Sequence, residues 1–381
     1  VLTPLLPALS GVRVIEMEGI GPVPFAAMML GDLGADVIRV RRPGRGAPAF
    51  VAPDAISAIG RHRCATLVLD AKDAVQGSAL RSLIGSADVL IEGFRPGAME
   101  RLGLGPEACL RERPALVYGR MSGWGQTGPW ARRAGHDINF IAATGALHAI
   151  GRGGGPPAPP LSLVGDYGGG AMFLLAGVLS ALLGARTTGR GRVVDAAIVD
   201  GVSLLLATVW GRLSCGDWSE VRGTNLLDGG APFYDVYATL DGAHVAVGAL
   251  EPQFFDALCR GLELDTKWDA STQMDRARWP QMRADFERTF AARARDHWTE
   301  RFAGVDACVT PVLSLSEAVD SEHLRDRGVL RRAGGVVTPA PAPRLEGGAP
   351  RAGFDEILDD LGVQAGVRRV LVAAQADRTR A

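Results

Sequence analysis

The sequence predicts an α/β protein with a largely parallel sheet, and three observations carry that prediction. Over residues 1–125, short β-branched runs alternate with helical stretches, the pattern of repeated βαβ units. The chain is 381 residues long, more than one average domain, which predicts a large domain and a smaller one. Hydrophobic residues make up 47% and charged residues 22%, the balance of a globular enzyme and far from that of a disordered chain.

Taken in order, Val12–Glu16 reads as a strand, Phe25–Leu33 as a helix stopped at Gly34, and Asp36–Val40 as the next strand. Ala65–Leu69, Ala87–Glu92 and Ala115–Arg120 read as further strands, with helices near 73–84 and 96–102. Gly151–Pro160 is so rich in Gly and Pro that neither helix nor strand survives there. Residues 170–186 and 198–213 read as long apolar helices flanking a strand at Arg192–Val194. The expected divisions are therefore 1–186 for the large domain, 187–224 for linker helices, 225–330 for a smaller α+β domain, and 331–381 for a return to the large domain. Within the third lies the strand His244–Val247; within the fourth, Val336–Arg344, with three prolines, reads as an extended connection, and the last ten or so residues read as disordered. No internal repeat is present.

A formal net charge of −1 supplies no global attraction to nucleic acid or acidic membranes, so any anion site must be local. Five scattered cysteines, with no C-x-x-C pair, argue against a zinc site or a disulfide framework and fit a reduced, cytoplasmic compartment. The chain opens with no charged-then-apolar signal pattern, and its end matches no lipidation motif. The apolar run Ala171–Ala185 falls short of the ~20 residues of a membrane span and reads as a buried core helix.

Gly19-Ile20-Gly21-Pro22-Val23-Pro24 lies between a strand and a helix, but Pro24 stands where a dinucleotide fingerprint needs its third glycine. A turn leading into a Pro-initiated helix accounts for most of that segment. Arg39, Arg41, Arg42, Arg61, Arg63 and Lys72 gather around strand ends, where open α/β sheets place ligands; a phosphate-rich ligand and a solvated surface are equal readings of that cluster. Glu92–Gly97 and Arg101–Gly105 add a turn and a helix near the same edge.

Two side chains in glycine-flanked, apolar surroundings are candidates for proton transfer: His136 and Asp166. Asp166 precedes Gly168-Gly169-Gly170 and an apolar helix, so it reads as a helix cap, a catalytic carboxylate, or a donor of its amide to an oxyanion. The glycines would let a substrate approach the backbone closely. His136 reads equally as a structural histidine, and adjacency alone does not make Asp137 its orienting acid. Glu251 follows a strand and reads as a surface carboxylate or an orienting acid from the second domain. No His, Cys, Asp or Glu spacing suggests a metal, and no G-x-S-x-G elbow is present.

Together these motifs resemble the alpha-methylacyl-CoA racemases of the family III CoA-transferase (CaiB/BaiF-like) superfamily. The resemblance runs from Leu9 to the Pro-rich stretch near 344, through Gly31–Val37, Ala87–Gly97, Gly123–Pro129, Gly135–Asn139, Gly165-Asp166, Val194–Ala197 and Gly248–Phe254. It implies a large Rossmann-like domain, a smaller domain, and an interlocked homodimer with the active site between one subunit's large domain and the other's small one. It further implies that His136 and Asp166 exchange protons with C2 of a 2-methyl-branched acyl-CoA, with Glu251 holding the imidazole. Arg42, Lys72 and Arg101 fall where these enzymes contact the CoA nucleotide. No cofactor beyond the substrate's own CoA is implied. The competing reading is a CoA-transferase with Asp166 as nucleophile; a third is a non-catalytic CoA-thioester binder. Val23 and Tyr167 depart from the residues common in the family; either is placed to adjust the acyl pocket, and neither removes a catalytic group.

Overall fold

The computed structural model describes residues 6–44, 64–333 and 336–346, so Arg61, Arg63 and the C-terminal tail lie outside the described residues. Packing divides the chain into two units. The first comprises 1–144, 160–207 and the residues from 331 on; the second comprises 145–159 and 208–330. The Gly- and Pro-rich stretch at 151–159 thus groups with the second unit, and 187–207 with the first.

The first unit is built on six strands: β1 (Arg13–Met17), β2 (Asp36–Arg41), β3 (Cys64–Val68), β4 (Val89–Glu92), β5 (Val117–Ser122) and β6 (Val193–Ala197). They pair in the order β3-β2-β1-β4-β5-β6, every pair parallel. The order reverses direction between β1 and β4, which makes the carboxyl edge beside β1 the topological switch point. The central strands β1, β2 and β4 are buried along most of their length, as strands of a sheet covered by helices on both faces are. Val14, Ile15, Val37, Val89, Leu90 and Ile91 are at most 1% exposed and centre the core.

Helix α1 (Pro22–Asp32) begins three residues before the sequence suggests, because Pro22 is suited to the first helical turn. Helix α2 (Ala74–Gly85) is capped by Asp73, whose carboxylate accepts the Val75 and Gln76 amides. Two short helices follow β4, α3 (Ala98–Arg101) and α4 (Pro106–Glu112). Helix α5 (Asp137–Ala143) follows β5. The long helix expected at 170–186 is α6 (Met172–Thr188), and a π-helical stretch, Leu163–Ala171, runs directly into it. The helix expected over 198–213 breaks at Leu206 into α7 (Ile198–Leu205) and α8 (Ala207–Ser214).

Within Leu163–Thr188, a helical stretch long and apolar enough to cross a membrane by length and composition, the 18-residue window of mean hydropathy 1.8 is half buried inside the fold. Its buried side consists of Leu174, Leu175, Val178, Ala181, Leu182 and Ala185. Gly119 and Gly177 bring it against the sheet: a Cβ on either would stand 2.9 Å from Leu174 and 2.5 Å from Val194.

The second unit has a three-stranded antiparallel sheet of β7 (Tyr234–Ala238), β8 (His244–Gly248) and β9 (Val309–Pro311), with β8 central. Its core is aromatic: Phe233, Tyr237, Phe255, Trp268, Phe286 and Phe290 are at most 2% exposed. Phe233 meets Phe255 and Trp279 edge to face at 5.5 and 5.7 Å. Asp235, nearly buried, is held between Arg152 and Arg283.

Candidate active site

Three segments of the first unit meet at the switch point. The first is the turn after β1, where Gly21 takes the left-handed backbone conformation at φ 71° that a side chain would strain. The second is the start of α5, with His136 as N-cap and Asp137 as first helical residue. The third is the first turn of the π-helix, which carries Asp166 and is entered through Leu161 and Ser162 at φ 57° and 61°. Non-glycine residues in that conformation cost about 1–2 kcal/mol each, a strain that clusters at functional sites.

The half-buried Asp166 carboxylate lies against Gly21; a Cβ there would stand 2.9 Å from Asp166 Oδ2. Glycine at 21 therefore makes the space that the carboxylate occupies. Burial pushes the Asp166 carboxyl up to about 6, the negative charge of Asp137 adds to the rise, and His136 opposes it. The imidazole is thus close enough for its charge to act on the carboxylate. His136 is exposed, and its backbone N–H donates to Asn139 Oδ1 at 3.1 Å, which fixes the entry to α5.

Asp137 is 6% exposed, and its Oδ1 accepts the Asp166 backbone N–H at 2.7 Å. That amide, expected from the sequence to face an oxyanion, is occupied by a carboxylate. The glycines after it also differ from expectation. A Cβ on Gly165 would come 2.2 Å from Asp137 Oδ1, so this glycine admits Asp137. Gly169 and Gly170 are buried, and Gly169 packs on α7, where a Cβ on Gly201 would fall 1.9 Å from the Gly169 carbonyl oxygen. Most of the glycine run therefore serves helix packing.

Val23 is 1% exposed and packs against Gly93. Tyr167 is half-buried with its ring 4.8 Å from that of Phe25, and burial raises its hydroxyl pKa. Beside α5, Trp124 packs edge to face on Phe140 and Trp130, at 4.8 and 4.9 Å, and Gly123 and Gly135 leave room for Phe140.

The cationic cluster at the strand ends divides in two. Arg39 is 7% exposed and bonds Glu16 at 2.8 Å inside the fold; Arg41 pairs with Glu18 at 2.8 Å. Those two serve the sheet. Arg42 and Lys72 are exposed just beyond the ends of the neighbouring strands β2 and β3. Arg101, also exposed, ends α3, and its Nη1 would stand 3.2 Å from a Cβ on Gly97 in the turn after β4. All three therefore follow carboxyl ends of strands. Next to α3 a pocket of about 420 Å³ is lined by residues including Gly97, Glu100, Arg120 and Gln126. Glu251 belongs to the second unit, exposed at the N-cap of the helix Pro252–Gly261, and its charge raises the Cys308 thiol pKa after burial does. Among the described residues, no group of three or more His, Cys, Asp or Glu could hold a metal.

The family described as CoA-transferase family III matches residues 9–350. The chain belongs to that family. The alpha-methylacyl-CoA racemase of Mus musculus is 44% identical over 338 residues, which span 88% of this chain and 86% of the relative. The Homo sapiens protein of the same name is 44% identical over 339 residues, spanning 89% and 86%. A CaiB/BaiF family protein from Brucella suis shares the fold with a TM-score of 0.74, at 23% identity, over 94% of this chain and 100% of that one. This family III member is an enzyme by that assignment. The two residues that sequence reasoning left without a role at the site, Gly21 and Asp137, were marked only by a glycine pair after a strand and by adjacency to His136.

Proposed function

We propose that the protein epimerises 2-methyl-branched acyl-CoA thioesters at C2. The observation that carries this reading is that His136 and Asp166 come together at the switch point, close enough for the histidine's charge to act on the carboxylate, in a chain 44% identical to alpha-methylacyl-CoA racemases. A thioester acidifies its α-hydrogen only modestly, so the reaction needs a base on each face of C2 and stabilisation of the enolate. His136 removes the proton from one epimer, and Asp166 delivers one to the opposite face; the roles reverse for the other epimer. An Asp166 carboxyl pKa of about 6 suits both duties near neutral pH, because each protonation state is accessible. With the Asp166 amide engaged by Asp137, we assign the enolate oxygen to the earlier amides of the same first turn, at Val164 and Gly165.

Arg42, Lys72 and Arg101 are assigned to the phosphates of the CoA nucleotide, which strand-end cations suit. Glu251 is assigned to the imidazole of His136 across an interlocked homodimer. Support for self-association comes from exposed apolar side chains on α7 and α8: Leu204 is 62% exposed, Leu205 53% and Trp210 47%, and α8 buries no residue. Patches of that kind mark interaction surfaces. The reduced compartment suited to the cysteines is the cytoplasm.

A 2-methylacyl-CoA incubated in D₂O without acceptor tests the reaction. Deuterium enters C2 with loss of stereochemistry, and His136→Ala or Asp166→Ala abolishes epimerisation while CoA binding persists. Full activity in either variant defeats the two-base scheme. The family's name favours a second reading, CoA transfer with Asp166 as nucleophile; absence of exchange together with a hydroxylamine-trappable acyl-enzyme would establish it.

A further inference from the structure

We infer that Asp137 is a positioning residue of this site: its buried carboxylate pins the backbone of Asp166 and so sets the direction in which the Asp166 carboxylate faces. The inference rests on the racemase reading and extends it to a residue that has no place in the two-base scheme. Its first support is geometric. Asp137 and Asp166 are 29 residues apart in sequence, on different elements, and are joined by a single 2.7 Å hydrogen bond from the Asp166 N–H to Asp137 Oδ1. A carboxylate accepting from a backbone amide makes one of the stronger hydrogen bonds available. It also sits at the positive end of the π-helix, where a negative charge is favoured.

The second support is that the fold makes room for this contact. Any side chain at Gly165 would enter the space of Asp137, with a Cβ 2.2 Å from Oδ1 and 2.8 Å from Cγ. The opposite wall is Gly21, where a Cβ would stand 2.9 Å from Asp166 Oδ2. The Asp166 side chain is therefore confined between Gly21 and a backbone tied to α5. Movement of the π-helix by one register would break the tie and swing the carboxylate off the β1 turn. Misplacement by about 1 Å is enough to cost about 10²-fold in a proton transfer.

A structural clamp and a positioning residue at this place differ in charge. The charged groups acting on Asp166 are Asp137, which raises its pKa, and His136, which opposes the rise. Tyr167 follows on the same helix, and the turn at Gly19–Gly21 carries no charge. Helix α7 packs on the other side with Ile198 and Val202, and its Asp200 acts on Asp195. Replacing Asp137 by Asn keeps an acceptor for the Asp166 amide and removes the charge. The Asp166 pKa then falls, and the limb on which Asp166 must be ionised to act as base moves to lower pH.

The test measures deuterium exchange at C2 against pH for the epimer whose hydrogen faces Asp166. Asp137→Ala is expected to lower kcat about 10²-fold with KM within about threefold of wild type. Asp137→Asn is expected to recover to within about tenfold of wild type, with the rising limb displaced to lower pH. An Ala variant with wild-type kcat, or an Asn variant whose limb stays in place, overturns the inference. If Asp137→Ala fails to fold, the Asn limb decides alone. Should wild type show no exchange at all, the racemase reading falls, and the same variants are scored on hydroxylamine-trappable acyl-enzyme. There a loss of about 10²-fold in Asp137→Ala supports positioning and an unchanged rate overturns it.

Discussion

Asp166 and Glu92 are both carboxylates at the carboxyl edge of one sheet, and burial raises both, to about 6 and about 7. Their surroundings nevertheless assign them different work. Glu92 ends β4, is 1% exposed, accepts the Phe94 amide at 2.7 Å, and receives Arg120 Nε at 3.2 Å. Arg120 in turn reaches Glu100 at 2.8 Å. Both oxygens of the Glu92 carboxylate accept from the protein itself. Asp166 is half-buried, and its carboxylate lies against Gly21 and within reach of the His136 charge. A raised pKa therefore does not distinguish a catalytic carboxylate from a structural one here. Partners and access do.

The strongest way to break that comparison is to neutralise each carboxylate at constant shape. Asp166→Asn is expected to lower epimerisation by about 10²–10⁴-fold with no loss of thermal stability. If the variant retains wild-type exchange, Asp166 belongs with Glu92. Glu92→Gln is expected to leave kcat within about threefold and to change stability instead. The folded carboxyl titrates above its unfolded value, so its stabilisation is complete below about pH 4.5 and is lost as pH rises through about 7. Wild type should therefore lose on the order of 3 kcal/mol relative to Glu92→Gln across that window, read from urea unfolding at several pH values. A gap independent of pH would show that the carboxyl stays ionised throughout.

A smaller effect sharpens the Asp166 side. Exchange that uses Asp166 as base should rise about tenfold between pH 5 and pH 7, half-complete near pH 6; a midpoint near the ordinary carboxylate range would remove the influence of burial and Asp137. The smallest expected effect is at the strand ends. Lys72→Ala should raise KM for acyl-CoA up to about fivefold at unchanged kcat, and less at high salt, since exposed ion pairs contribute at most about 1 kcal/mol. A change in kcat would move Lys72 into the reacting part of the site.

The sheet was legible in the sequence because parallel strands buried on both faces are rich in β-branched and apolar residues: Val89-Leu90-Ile91 stands out without help from its neighbours. The candidate proton carriers were legible as residue types in glycine-rich surroundings. Three features were not. The π-helical turn has the same apolar content as the α-helix it enters, and no local signal separates the two. Arg39 reads as a surface cation until its pairing with Glu16 across β1 and β2 places it in the core, a contact set by register between distant segments. Asp137 reads as a neighbour of His136, whereas its side chain serves a residue on another element. In each case the missing information is tertiary.

The glycine contact between Gly169 and Gly201 has a consequence for anyone who scans this chain by substitution. Alanine at position 201 would drive a methyl group to 1.9 Å from the Gly169 carbonyl oxygen, so the crossing of α7 and the π-helix would have to open. That crossing carries the turn on which Asp166 rides. A deep mutational survey read by activity would score Gly201 beside Asp166, although the glycine never meets substrate. Comparing protein abundance with turnover, variant by variant, separates the hinge pin from the chemistry.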